Sequence, residues 1–299
     1  MSHQGLVISN LGKALAVEIR DETTGNEKII LCKTRRKLGV SVVGDQVAYK
    51  PDGEDEGVVT QILPRANLLS RPAKSGRTRP VAANIDQLAV LITVSPSCDF
   101  LLLDQFLVVC EHSHFNPLLI FNKTDLLADA ESEQLQQSLM PYRKMGYLFN
   151  FISAKTGRGI ADLNKKLINK RSLLVGQSGV GKSSLTNALL PEKALRVNAV
   201  SASSGLGRHT TTAATLFHLP EGGDLIDSPG VNIFGLAGID ERALAESFRD
   251  FQPHLPNCKF NDCRHQQDKG CAIREAVKSG EIAPERYKRF LKLIEKLPR

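Results

Sequence analysis

Aromatic side chains are scarce at the start of this 299-residue sequence: residues 1–80 hold a single one, Tyr49. That excludes the row of stacking rings on which single-strand nucleic-acid binders seat their bases. Long apolar runs are missing too. The longest, Leu88–Val94 with Thr93 inside it, is far too short to cross a bilayer. No amino-terminal stretch has the basic, apolar, small-residue order of a secretory signal. The cytoplasm is therefore the expected compartment, with no membrane partner. There is no internal repeat and no low-complexity tract. Of six cysteines, three crowd into the last quarter, the pattern of a reduced protein with a metal site rather than of a disulfide scaffold.

The length suits two or three domains, and 41% hydrophobic residues suit ordinary soluble cores. Net charge is +7, distributed unevenly: residues 1–80 carry +4, residues 81–239 carry none, and residues 240–299 carry +3. Flanking segments that meet a polyanion, around a neutral centre with another task, would have this distribution.

Short β-type runs broken by turns fill the first seventy residues: Gly5–Ile8, Ala14–Ile19, Lys28–Cys32, Gln46–Tyr49 and Val58–Leu63. Five such strands predict a small all-β barrel over 1–70, with the OB-fold leading. Residues 71–80, rich in Pro, Gly and positive charge, read as an exposed connector. Beyond residue 85, continuous apolar runs alternate with helical ones: Gln87–Val94, Leu101–His112, Pro117–Phe121, a helix around Glu131–Arg143, then Tyr147–Ile152. This α/β pattern predicts a parallel sheet covered on both faces, in a domain over 71–238 that includes the linker 71–84. Residues 239–299 turn helical and Cys/His-bearing, ending in the basic amphipathic helix Pro284–Leu297.

Gly176, Gln177, Ser178, Gly179, Val180, Gly181, Lys182 and Ser183 spell G-x-x-x-x-G-K-S between the apolar Leu173–Val175 and the helix-compatible Ser184–Leu190. Glycines let such a loop aim backbone N–H groups at phosphate oxygens, and the helix amino terminus adds partial positive charge. Lys182 is expected on the terminal phosphates, with Ser183 on Mg²⁺ and Ser184 beside the nucleotide. Asp227-Ser-Pro-Gly230 follows the strand-like Asp224–Ile226, so Asp227 is expected in the magnesium shell and Gly230 at the terminal phosphate.

Asn122, Lys123, Thr124 and Asp125 follow the apolar Leu118–Phe121. The Asp125 carboxylate can accept from both N1–H and the N2 amine of guanine. Adenine offers no such pair, and a site built for those bonds rejects it. Ser153, Ala154 and Lys155 would cover the base from the other side. Taken alone, each short motif is more often a solvated turn; together, at strand ends and beside a phosphate loop, they point to GTP. They resemble translational-type GTPases with the order rotated, base motifs preceding phosphate motifs. One consequence is that the Asp227 segment runs almost directly into the carboxyl-terminal module.

Cys258, Cys263, His265 and Cys271 form C-x4-C-x-H-x5-C, a closed tetrahedral set for one structural Zn²⁺. Cys32, Cys98 and Cys110 have no ligand spacing and read as packing residues.

With the motif order, the barrel and the Cys3His set together, plus Gly207-Arg-His-Thr-Thr-Thr212, the chain resembles the YjeQ/RsgA family, small ribosomal subunit biogenesis GTPases. The resemblance covers all three modules and implies an OB-fold, a circularly permuted GTPase domain and a helical zinc-binding domain, acting late in 30S maturation. Val231 stands where small GTPases carry a water-orienting glutamine. The resemblance implies His209 in that catalytic role beside Lys182, with Thr211 or a neighbour, Thr210 or Thr212, completing the magnesium shell. Lys33, Arg35, Arg36 and Lys37, with Arg71, Lys74, Arg77 and Arg79, offer charge to phosphate backbones, so structured RNA read by shape is the better fit; the resemblance implies the 30S subunit and its 16S rRNA as the partner of a chain expected to be monomeric. The competing reading is an RNA-binding assembly factor that uses GTP as a sensor with little turnover. A small-molecule kinase is disfavoured, since it gives no reason for Asn122–Asp125.

Overall fold

The computed structural model describes residues 3–21, 25–72, 78–95, 97–190, 214–228, 236 and 238–297. Short β-forming runs build five strands: β1 (His3–Asn10), β2 (Leu15–Arg20), β3 (Glu27–Thr34), β4 (Gln46–Pro51) and β5 (Glu56–Ile62). All five expected strands are present. They run β1-β2-β3-β5-β4, and β4 returns to pair with β1, closing a barrel around Val7, Val17, Ile30, Val47 and Val59. Gly5 permits the close approach of β1 to β2, because a Cβ there would lie 2.5 Å from Val17 Cγ1.

The stretch expected to be an exposed connector is a β-ribbon, β6 (Leu68–Pro72) against β7 (Thr78–Ala83). Leu69, Ala82 and Ala83 are buried, which gives the ribbon an anchored base. Asparagine side chains tie that base down: Asn67 bonds both the N–H and the C=O of Ile85, and Asn84 Nδ2 donates to Gly44 O at 2.9 Å.

The α/β unit follows as β8 (Gln87–Thr93), α1 (Phe100–His112), β9 (Asn116–Asn122), α2 (Asp129–Ser138), α3 (Met140–Lys144), β10 (Leu148–Phe151), α4 (Ile160–Leu167), β11 (Arg171–Val175), α5 (Lys182–Leu189), β12 (Thr215–His218) and β13 (Asp224–Asp227). Both faces of its central strands are buried: Leu88, Val90 and Ile92 pack toward α1, whereas Ala89 and Leu91 pack toward α4 and α5. This is why those sequences read as continuous apolar runs. The single helix expected around Glu131–Arg143 is two, since Pro141 opens α3 and cannot donate to the preceding turn.

Strand order is β10-β9-β8-β11-β13-β12, with β12 antiparallel to β13 and the rest parallel. The chain steps one way from β8 to β10 and then crosses to the other side of β8, so the sheet has a topological switch point between β8 and β11. β12 then meets β1 at Thr215↔Ser9, making one sheet of eleven strands out of barrel and α/β unit.

Three helices close the chain: α6 (Glu241–Glu246), α7 (Ala272–Ser279) and α8 (Pro284–Ile294). Phe248, Phe251, Ile273 and Phe290 are buried in the same core as α1. α8 is basic as expected, but two of its cations turn inward. Arg286, 2% exposed, donates to Asp104 of α1 and to Asp250. Arg289 Nε donates to the other Asp104 oxygen at 2.5 Å.

Candidate functional site

Because β9, β10, β11 and β13 are parallel, their carboxyl ends lie along one sheet border. Asn122 ends β9, Ser153 follows β10, Gly176 follows β11 and Asp227 ends β13. Motifs spread over more than a hundred residues of sequence therefore converge beside the switch point, where ligands of such sheets bind.

Asn122, 2% exposed, joins two of the loops. Its Nδ2 donates to Val180 O at 2.9 Å, and its Oδ1 accepts from Ala154 N at 3.0 Å. Lys123 turns the chain through a left-handed conformation at φ 68°, and Thr124 then bonds Ile152 O through both its N–H and its hydroxyl. Asp125 is thereby brought beside Ser153. The Ser153 hydrogen bond, with Lys155 nearby, holds its carboxyl below the usual range, ready as an acceptor. Ser153 itself is buried, while Lys155 is exposed.

The loop from Gly176 to Gly181 needs its glycines. At Gly176, φ is 155° and a Cβ would lie 2.4 Å from Leu91 O; at Gly181, φ is 101° and a Cβ would meet Asn122 Nδ2 at 2.4 Å. Val180 is buried, and Gln177, Ser178 and Gly179 form the outward turn. Lys182 opens α5 and folds its ammonium back onto Gly176 O at 2.6 Å and Gln177 O at 2.8 Å. Burial lowers its pKa, while Asp227 works the other way. Ser183 and Ser184 stand exposed on the first turn of α5.

Sequence reading missed Thr186. It is fully buried, and its hydroxyl lies 2.9 Å from Lys182 O and 3.3 Å from Asp227 Oδ2, so α5 touches the end of β13. Its position four residues after Lys182, one turn along the same helix face, was the available signal. His209, Thr211 and Gly230 lie outside the described residues, as does much of the path from Asp227 to α6.

Away from this border, Cys258, Cys263, His265 and Cys271 bring one donor atom each within 4.8 Å of all the others. His265 Nδ1 is 3.6 Å from Cys258 Sγ and 3.5 Å from Cys271 Sγ. Zinc bond lengths at the tetrahedral angle give an N···S edge of about 3.6 Å, so the spacing fits such an ion. His265 reaches the cluster from a left-handed backbone at φ 60°, and its carbonyl is held by Tyr287 Oη at 2.7 Å. Burial pushes the Cys263 thiol up to about 12, so a metal must displace protons to bind.

A further group absent from the sequence reading is His218 on β12. Its Nδ1 meets Asp224 Oδ1 and its Nε2 meets Glu18 Oε2, both at 2.7 Å. Arg171 bonds Asp224 at 3.0 Å and Gly44 O at 3.2 Å. Together they pin the barrel to the α/β unit.

A model of the RsgA GTPase family matches residues 62–237. The small ribosomal subunit biogenesis GTPase RsgA of Hahella chejuensis is 44% identical over 98% of this chain and 84% of its own length. That of Haemophilus influenzae (strain PittGG) is 42% identical over 99% of this chain and 85% of its own. Among solved structures, YjeQ from Thermotoga maritima superposes with a TM-score of 0.77 at 34% identity, covering 99% of this chain and 98% of that one. YloQ, described as a circularly permuted GTPase, gives 0.76 at 31% identity, covering 100% and 97%. Motif order, sheet topology and near full-length likeness agree: the chain belongs to the RsgA GTPase family.

Proposed function

We propose that this GTP hydrolase times its own stay on the maturing small ribosomal subunit, in the cytoplasm, by converting GTP and water to GDP and phosphate. The convergence of base and phosphate loops through Asn122 carries the reading, since it ties a guanine-selective carboxylate to a phosphate-cradling loop. Asp125, an acceptor held ionised by Ser153, takes the N1–H and N2 amine of guanine. Lys182 leaves its loop carbonyls for the β- and γ-phosphates. Oxygen donors Ser183 and Asp227, the latter against α5 through Thr186, suit a hard cation. Magnesium bound there would neutralise charge on the phosphates. His209 orients the attacking water, Thr211 completes the magnesium shell, and the Gly230 N–H meets the γ-phosphate. The Cys3His cluster holds a structural zinc, since all four positions are protein donors. The relatives' printed names supply the partner, and the basic residues 71–80 and the carboxyl-terminal segment suit 16S rRNA.

The test is steady-state phosphate release from GTP, with and without purified small subunits, for the native chain and for His209→Ala. Stimulation by subunits in the native chain, lost in the variant, is expected. A native rate indifferent to subunits would favour the RNA-binding sensor with little turnover. Unimpaired stimulation in the variant would remove His209 from the mechanism.

A further inference from the structure

Tyr49, the one aromatic of the first eighty residues, is 4% exposed inside the barrel core. The first eighty residues, net +4, therefore have charge for a nucleic acid but no ring to offer a base. Among the described residues one Phe or Tyr is exposed, Phe260, with 46% of its surface open. It stands on the loop between Cys258 and Cys263, outside every nucleotide motif.

That loop is braced. Cys258 and Cys263 belong to the thiol cluster at its two ends. Lys259 N donates to Gly270 O at 3.0 Å, and Cys263 N closes a turn on Phe260 O at 3.3 Å. A large apolar ring held out on a pinned turn gains nothing for folding from its exposed half. Cations adjoin it along the chain and across the Lys259–Gly270 hydrogen bond. Lys259 Nζ is 5.5 Å from the Phe260 ring centroid, Arg264 has 73% of its side chain exposed with only a 3.9 Å approach from Glu241, and Lys269 is also exposed. Asp262 is the one carboxylate within the turn.

A ring flanked by ammonium and guanidinium groups matches an unpaired nucleotide, whose base has a π-face and whose phosphates are anionic. An apolar protein groove would match the ring but not the cations. We propose that Phe260 stacks on an unpaired base of the small-subunit RNA, with Lys259 and Arg264 on the adjoining phosphates. The inference rests on the partner reading above and assigns this contact to the metal-cluster loop rather than to the barrel.

The experiment measures the affinity of the zinc-loaded full chain for purified small subunits, with a non-hydrolysable GTP analogue, for the native protein and for Phe260→Ala, Phe260→Leu and Phe260→Tyr. Unchanged zinc content and unchanged subunit-free GTP turnover report that each variant is folded. Alanine and leucine are expected to weaken binding by about 5- to 150-fold, the span of base-stacking losses, and tyrosine to leave it intact. Photocrosslinking from p-benzoylphenylalanine at position 260 is expected to give an RNA adduct. Native-like binding by the alanine or leucine variant, or a protein adduct, would overturn the proposal while leaving the partner reading standing. Failure of the native chain itself to bind subunits would remove both.

Discussion

At the scale of single residues, the site depends on side chains that need not touch a ligand at all. Asn122 spends both ends of its amide on backbone groups of two other loops. Asn122→Ala should leave the Val180 carbonyl and the Ala154 N–H unpaired in a buried place and cost about 1–3 kcal/mol. Urea unfolding with the nucleotide absent measures that loss, and GDP titration should reveal weakened binding as the two loops part. A fully native affinity would show that the bridge is dispensable. Much of this site was legible in advance. The glycines, Lys182 and Asp125 are recognisable because phosphate and guanine demand particular residue types at short, fixed spacings. The structural duty of Asn122, and the contact between Thr186 and Asp227, were not legible, because their partners lie 32 to 58 residues away in one case and 41 in the other.

At the scale of elements, α8 shows where pattern reading stops. Its period and composition identified a basic amphipathic helix. Asp104, from a different helix, is fully buried and accepts from Arg286, Arg289 and Tyr142. Nothing in α8 itself announces such a partner. The Arg286 guanidinium also lies 4.4 Å from the Phe248 ring centroid. Removing one member of such a group strands the opposite charge, so Arg286→Ala should cost about 3–5 kcal/mol. Pairing it with Asp104→Asn should recover part of that loss, because the buried charge leaves with its partner. Urea unfolding of the two variants checks both statements. Equal destabilisation by single and double change would show that packing, not charge, makes the contact. The α2–α3 break is the milder case, in which Pro141 interrupts a pattern that otherwise reads as continuous.

At the scale of the whole molecule, His218 is a titratable link between barrel and α/β unit. Hydrogen bonds to Asp224 and Glu18 raise its pKa to about 10, against the opposing effect of burial. A histidine whose folded value stands above its unfolded value of about 6.5 stabilises the fold fully below that lower value. The contribution fades as pH rises toward the folded value of about 10. The native chain should therefore melt above His218→Gln near neutrality, with the gap narrowing between pH 6.5 and 10. Thermal melts across that range test it, and a constant gap would count against a charged His218. The presence of both units was legible from their contrasting textures, short β-type runs broken by turns in the barrel and continuous apolar runs alternating with helices after residue 85. Their union was not, since strand pairing between β1 and β12 spans about two hundred residues and leaves no local trace.

The meeting of Ser9 with Thr215 has a consequence for self-association. Sheet borders with free N–H and C=O groups template unwanted pairing with other chains. Here the barrel shuts on itself and β1 leans on one end of the larger sheet, which leaves β10, among the described residues, as the border with no strand beyond it. That border is four residues long and carries the exposed Leu148. A brief, single ledge limits the length over which fibre-like stacking could begin, so this large sheet keeps its aggregation hazard confined to one small place.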